Sequence, residues 1–132
     1  MSRSVLLQLA RDSIAEVLEA QRTIDKAALP QEHPLLNEVV STKVTLYLNN
    51  ELRGSSQTLT PQNTLLEDII LNAKKSAFQD KNFQPITTSE YLHCEIEVSL
   101  TTAEGVISEK DEPIIKHNEI GLESVITSDK KS

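Results

Sequence analysis

Glu51-Leu52-Arg53-Gly54-Ser55-Ser56-Gln57-Thr58-Leu59-Thr60-Pro61 follows directly on Asn49-Asn50, and the way this junction is read decides the fold. Upstream, Thr42 to Leu48 alternates, with Val44, Leu46 and Leu48 on one side and Lys43, Thr45 and Tyr47 on the other. That period of two is the pattern of a half-buried strand. Asn accepts positive φ more readily than most residues, so Asn49-Asn50 suits a two-residue hairpin turn. Glu51 to Gln57 is then the returning strand. In that register Arg53 lies opposite Leu46 and Ser55 opposite Val44, so a cation shares a face with apolar side chains. Three resolutions are open: the register differs, Gly54 marks a bulge that re-aims Arg53, or Arg53 lines a cleft.

Beyond the junction, Thr60-Pro61 reads as a helix start, and Thr64 with Glu67 offers a second start one turn later. Leu66, Ile69, Ile70, Ala73 and Ala77 form a stripe that runs to about Phe78. The small Ala73 and Ala77 predict close packing against a sheet. Asp80 to Pro85 is a polar loop carrying Phe83. Thr87 and Glu90 make a capping box for a helical turn over Thr88 to Leu92. Cys94 to Leu100 alternates strictly, with Cys94, Ile96, Val98 and Leu100 inward and His93, Glu95, Glu97 and Ser99 on the other face. Glu104-Gly105 is a turn, and Val106-Ile107 pairs back as an edge strand. Ser108 to Glu112 is charged and expected to be exposed. Ile120 to Thr127 reads as a last strand.

Upstream of the junction, Ser4 to Gln21 is an amphipathic helix. Its stripe is Leu6, Leu9, Ala10, Ile14, Val17 and Leu18, with Arg11, Asp12, Glu16 and Glu19 largely off it. Pro30 and Pro34 make Ala28 to Pro34 an extended connection, with His33 solvated. Together the segments predict an α+β fold, with two main helices packed on a largely antiparallel sheet.

The 132 residues suit one domain with a real core, and with no Trp, two Tyr and two Phe that core is mainly aliphatic. The formal net charge of −7 argues against a nucleic-acid or other phosphate-binding surface. Cys94 is the single cysteine, which excludes an internal disulfide and a paired-cysteine metal clip, and fits a reducing, cytoplasmic setting. Arg11 and Asp12 interrupt Val5-Leu6-Leu7 too early for a signal segment, and no run approaches the ~20 apolar residues of a membrane span.

Three constellations invite chemistry, and each has a plainer reading. His93 and Cys94 are neighbours, but strand neighbours point to opposite faces, so Cys94 reads as a buried structural thiol. His93, Glu95 and Glu97 share a face at two-residue spacing without a supporting ligand cluster, so no metal site is assigned. Ser55-Ser56 beside Arg53-Gly54 lacks both a nucleophile elbow and a phosphate loop, and reads as a polar strand end.

The order of the pieces resembles the AMMECR-type domain family. The resemblance rests on Leu6-Leu7-x-Leu9-Ala10-Arg11-x-Ser13-Ile14, Val44-Thr45-Leu46, Leu52-Arg53-Gly54 and Leu66-Glu67-Asp68-Ile69. It continues through Asn72 to Phe78, Asp80-x-x-Phe83-x-Pro85 and Glu97-Val98-Ser99-Leu100. Such domains look like protein A of the AmmeMemoRadiSam system, which implies a Memo-like protein and a radical SAM enzyme as partners. The family's hallmark Leu-Arg-Gly-Cys-Ile-Gly reads Leu52-Arg53-Gly54-Ser55-Ser56-Gln57 here, so its thiol position is Ser55. Ile120-Gly121-Leu122-Glu123-Ser124 resembles the family's Ile-Gly-x-x-Gly, with the second Gly replaced. The resemblance therefore implies a single AMMECR-like domain over residues 1–132, lacking the family's C-terminal part.

The expected function is that of a non-catalytic domain acting through protein contacts, without a cofactor, membrane or nucleic acid, and compatible with a homo-oligomer. Its candidate binding residues are Arg53, Gly54, Ser55, Asp80 and Phe83. The alternative is an enzyme or small-ligand binder using a cleft around Arg53, Ser55 and Asp80. Either way, Arg53, Asp80 and Phe83 are expected to gather around one concave region. Arg53→Ala in such a cleft would leave the melting temperature nearly unchanged.

Overall fold

The computed structural model describes residues 4–115. The Ile120 to Thr127 strand and the Ile120 to Ser124 segment lie outside them. The first helix, α1, spans Val5–Glu19, with Ser4 as its cap: the Ser4 side chain accepts from Leu7 N–H at 3.2 Å. The helix stops at Ala20, which takes the left-handed conformation at φ 55°. Leu6, Leu9, Ala10 and Ile14 are buried as the stripe predicts, while Val17 is largely exposed.

A short helix, α2 at Ala28–Glu32, and a 3-10 turn at Pro34–Asn37 replace the expected extended connection. Both prolines sit in the first turn of their element, where an N–H has no helical partner to lose. Asp25 completes the start of α2 by accepting from the N–H groups of Ala27 and Ala28.

Strands β1 (Ser41–Leu48) and β2 (Glu51–Gln57) form the expected hairpin, and Asn49 and Asn50 both have positive φ, at 54° and 66°. Helix α3 is Leu65–Phe78. Thr64 caps it rather than Thr60, because tertiary contacts fix its start: Thr64 bridges to Val39, and Leu65 N–H donates to Glu38 C=O at 2.6 Å. The Thr87/Glu90 capping box is complete and opens α4, Thr88–His93. Strands β3 (Cys94–Thr102) and β4 (Gly105–Asp111) follow. The all-antiparallel order is β2-β1-β3-β4, and α1 and α3 cover one face. Val44, Leu46, Ile96 and Val98 meet Leu9, Ile14, Ile69 and Ala73 in the core. His93 is the last residue of α4 and lies outside the strand that carries Glu95 and Glu97. Strand β4 runs on through Ser108 to Asp111, where Ser108 and Lys110 are exposed as expected and Asp111 is buried.

The buried polar side chains among the described residues include two hydrogen-bonded clusters. Asp68 on α3 accepts from Thr42 N–H and Oγ1, Thr58 Oγ1 and Asn63. Asn72, one turn on, donates to Thr42 and Thr58 and accepts from Ser56. Hydrogen bonds thus satisfy a buried carboxylate and fix the β1–β2 hairpin on α3. The second cluster surrounds Arg11, which is only 1 % exposed, contrary to its expected place off the stripe. Its Nε donates to Asp111 Oδ2 at 2.6 Å, Nη1 to Tyr91 C=O, and Nη2 to the carbonyls of Cys94 and Glu112. Cys94 is fully buried beside it, and burial pushes the thiol's pKa up, away from nucleophilic use.

Candidate functional site

The register of the hairpin decides where Arg53 points. Tyr47 pairs with Leu52 and Leu46 with Gly54, so Arg53 is the extra residue of a bulge. Of the three open resolutions, the bulge is the one adopted. It moves every later residue by one position: Ser55 lies opposite Thr45, not Val44, and Ser56 lies opposite Val44. Ser56 therefore faces α3, and Ser55 faces away from the helices. Gly54 passes so close to α3 that a Cβ there would collide with the Ser76 carbonyl oxygen.

The bulge swings Arg53 towards the loop after α3. Nε donates to Glu90 Oε2 at 3.1 Å and Nη2 to Glu90 Oε1 at 2.9 Å, a bidentate pair. Nη2 also donates to Gln84 C=O at 2.8 Å, and the guanidinium stands 5.6 Å from the Phe83 ring centre. The Arg53 side chain is 12 % exposed, and its Nη1 is buried without a hydrogen-bond partner among the described residues. Asp80 accepts from Ser55 N–H through Oδ2 at 2.9 Å and from Asn82 N–H through Oδ1 at 2.8 Å. Ser55 N–H points outward from the edge strand β2, so Asp80 caps a group that would otherwise invite another strand.

The structure thus brings Arg53, Gly54, Ser55, Asp80 and Phe83 together at one edge of the sheet. The guanidinium is enclosed by Glu90, Gln84 and Phe83 rather than set in an open cleft. Arg53→Ala would therefore cost stability, contrary to the cleft expectation. Glu90 is the member that sequence reasoning missed. Its capping box was legible, but its second role depends on the bulge 37 residues earlier. Arg11 and its partners were missed too, although spacings of four from Leu7 and three to Ile14 put Arg11 in phase with two core residues.

Away from the helices, Ser55 shares a cross-strand row with Thr45, Glu97 and Lys110. No hydrogen bond among the described residues joins its hydroxyl to a base. Tyr47 Oη donates to Glu97 at 3.1 Å, and Lys110 Nζ sits 4.6 Å from the Tyr47 ring centre. Among the described residues no three His, Cys, Asp or Glu side chains converge as a metal ion would require, and no helix is long and apolar enough to cross a membrane.

The Asn82 and Ser55 N–H groups hold the Asp80 carboxyl below the ordinary carboxylate range. The Arg53 hydrogen bond does the same for Glu90, helped by Thr87. A depressed folded pKa stabilises the fold above the unfolded value, about 4, and that contribution is lost as pH falls through the folded values. Thermal melts are therefore expected to show stability falling from about pH 5 to pH 3. Asp80→Asn/Glu90→Gln should flatten that fall, and an unchanged slope in the double variant would refute the assignment.

Wider comparison places this geometry among known proteins. A family model described as AMMECR1 matches residues 7–131. The chain belongs to the AMMECR1 family. Protein Ta0236 of Thermoplasma acidophilum is a relative, 30 % identical over 124 residues, covering 91 % of this chain and 57 % of that protein. The crystal structure of the uncharacterized protein PH0010 from Pyrococcus horikoshii matches at TM-score 0.66 and 33 % identity, over 74 % of this chain and 49 % of that one. The chain thus spans about half the length of these relatives. The match confirms the α+β AMMECR1 fold, within which the Arg53 cluster sits at the β2 edge.

Proposed function

We propose that this AMMECR1-family chain works without catalysis, through protein contacts made by the surface around Arg53, Ser55, Asp80 and Phe83. One observation carries the reading: the groups that could do chemistry are committed to structure. Asp80 spends both oxygens on backbone N–H groups, Arg53 is locked to Glu90, and no described hydrogen bond links Ser55, at the family's thiol position, to a base. A Ser hydroxyl without an activating base is a poor nucleophile. The proposed partners are a Memo-like and a radical SAM protein, in a cytoplasmic setting. The charge of −7 supports protein partners over nucleic acid.

Calorimetric titration of the chain against each partner separates contact from catalysis. Ser55→Arg is expected to weaken binding about tenfold or more, and Ser55→Ala to leave it unchanged. Absence of binding to both proteins would end this reading. The second reading, a small-ligand site, is favoured by Arg53 Nη1, a covered donor with no acceptor among the described residues. It predicts that a small carboxylate or phosphate raises the melting temperature of the native chain and not of Arg53→Lys.

A further inference from the structure

The two edges of the sheet are treated differently. At β2 the edge is closed to further pairing by the Arg53 bulge, by Asp80 on the outward Ser55 N–H, and by the loop that Arg53 holds alongside. At β4 none of these devices is present among the described residues. The β3–β4 register turns the backbone groups of Gly105, Ile107, Glu109 and Asp111 towards β3 and those of Val106, Ser108 and Lys110 outward. Val106 and Ile107 are 67 % and 58 % exposed, on opposite faces of the strand. Charged side chains often guard such an edge, but here both are drawn back over the sheet faces. Lys110 lies over the Tyr47 ring and 3.8 Å from Glu95, and Glu109 accepts from Ser4 Oγ at 2.6 Å.

We infer that β4 is a docking surface for a second copy of this chain, which adds its own β4 antiparallel and joins the two sheets edge to edge. The β4 sequence is compatible with pairing to itself. Centred on Ser108, the pairing sets Val106 opposite Lys110 of the second copy and Ile107 opposite Glu109. Every inter-copy hydrogen bond then uses the outward groups, and no like charges face each other. Centring on Glu109 would oppose two carboxylates and is disfavoured. Strand addition alone buries little apolar surface. Ile107 also borders an apolar groove of about 770 Å³, lined by Leu6, Leu35, Val39 and Leu100, so apolar surface lies directly beside the pairing edge. The Arg53 surface lies at the opposite edge, so this inference does not depend on the proposed partners.

Sedimentation equilibrium on the full chain tests it. A concentration-dependent dimer is expected. Ile107→Lys and Ser108→Pro should each weaken it about tenfold or more, with unchanged far-ultraviolet circular dichroism. Ser108→Pro removes an outward N–H, which an edge strand tolerates, and an exposed hydroxyl contact to Ser99. A chain that stays monomeric at every concentration would overturn the inference, as would a dimer indifferent to both substitutions. Hydrogen exchange at Val106, Ser108 and Lys110 should slow as the protein is concentrated. Protection that is equally strong in the dilute monomer would show the edge covered by the same chain, and would also overturn it.

Discussion

Arg11→Met is expected to lower the unfolding free energy by about 3–5 kcal/mol, the range for breaking a buried ion pair from one side. The guanidinium has five N–H donors, and the structure gives it oxygens on Asp111, Tyr91, Cys94 and Glu112, with the Cys94 thiol sulfur at 3.9 Å. Its face lies 5.3 Å from the Tyr91 ring centre, and Tyr91 Oη donates back to Arg11 C=O. A Met of similar length refills the volume but donates nothing, so the Asp111 carboxylate loses its ion pair with Arg11 and the carbonyls of Cys94 and Glu112 lose the Arg11 N–H groups, while Tyr91 C=O keeps Cys94 N–H and Sγ. Through these groups the one side chain links α1 to the end of α4 and the end of β4. Chains of this size are stable by only about 5–15 kcal/mol, so the variant sits near its unfolding threshold. Arg11→Met/Asp111→Leu should recover part of the loss, because the carboxylate that lost its Arg11 partner is gone, while the Arg11 N–H groups are not restored to the carbonyls. Urea titration measures both effects. A shift below about 1 kcal/mol in Arg11→Met would show that the cluster does not stabilise the fold.

Gly54→Ala is expected to cost about 3 kcal/mol or more, at the upper end for overpacking. The added Cβ meets the Ser76 carbonyl oxygen, which is helix backbone and cannot rotate away as a side chain would. Strand β2 must then separate from α3. That movement also pulls on the Ser56–Asn72 hydrogen bond and on the Asp80–Ser55 and Arg53–Glu90 links. Ser55→Ala, one residue away and facing outward, is the control, with an expected effect within about 0.5 kcal/mol. Denaturant midpoints for the two variants give the comparison. Equal midpoints would mean that the close approach of β2 to α3 is not what requires glycine here.

The sequence by itself determined whatever depends on neighbours within a few residues. Cys94, Ile96, Val98 and Leu100 alternate because a strand repeats every two residues, and all four are buried. Asn49-Asn50 makes its turn because the residue type tolerates positive φ. Thr87 and Glu90 cap their helix through contacts three residues apart. The misfit of Arg53 in its hairpin was legible as well, since a cation in phase with Leu46 signals a local conflict.

Only the tertiary structure decided how that conflict is resolved. The bulge places Arg53 on Glu90, and nothing local to either residue specifies the other. Arg11 and Asp111 lie 100 residues apart, so no window on the sequence shows that the cation falling in phase with Leu7 and Ile14 has a carboxylate waiting. The choice between Thr60 and Thr64 as a helix start was likewise made elsewhere, by the Glu38 carbonyl and the Val39 bridge. Local signals are set by backbone geometry and the side chains next along the chain. Partnerships between distant groups are set by which elements pack together, and removal from water makes each unpaired donor or charge costly enough to choose among locally equivalent alternatives.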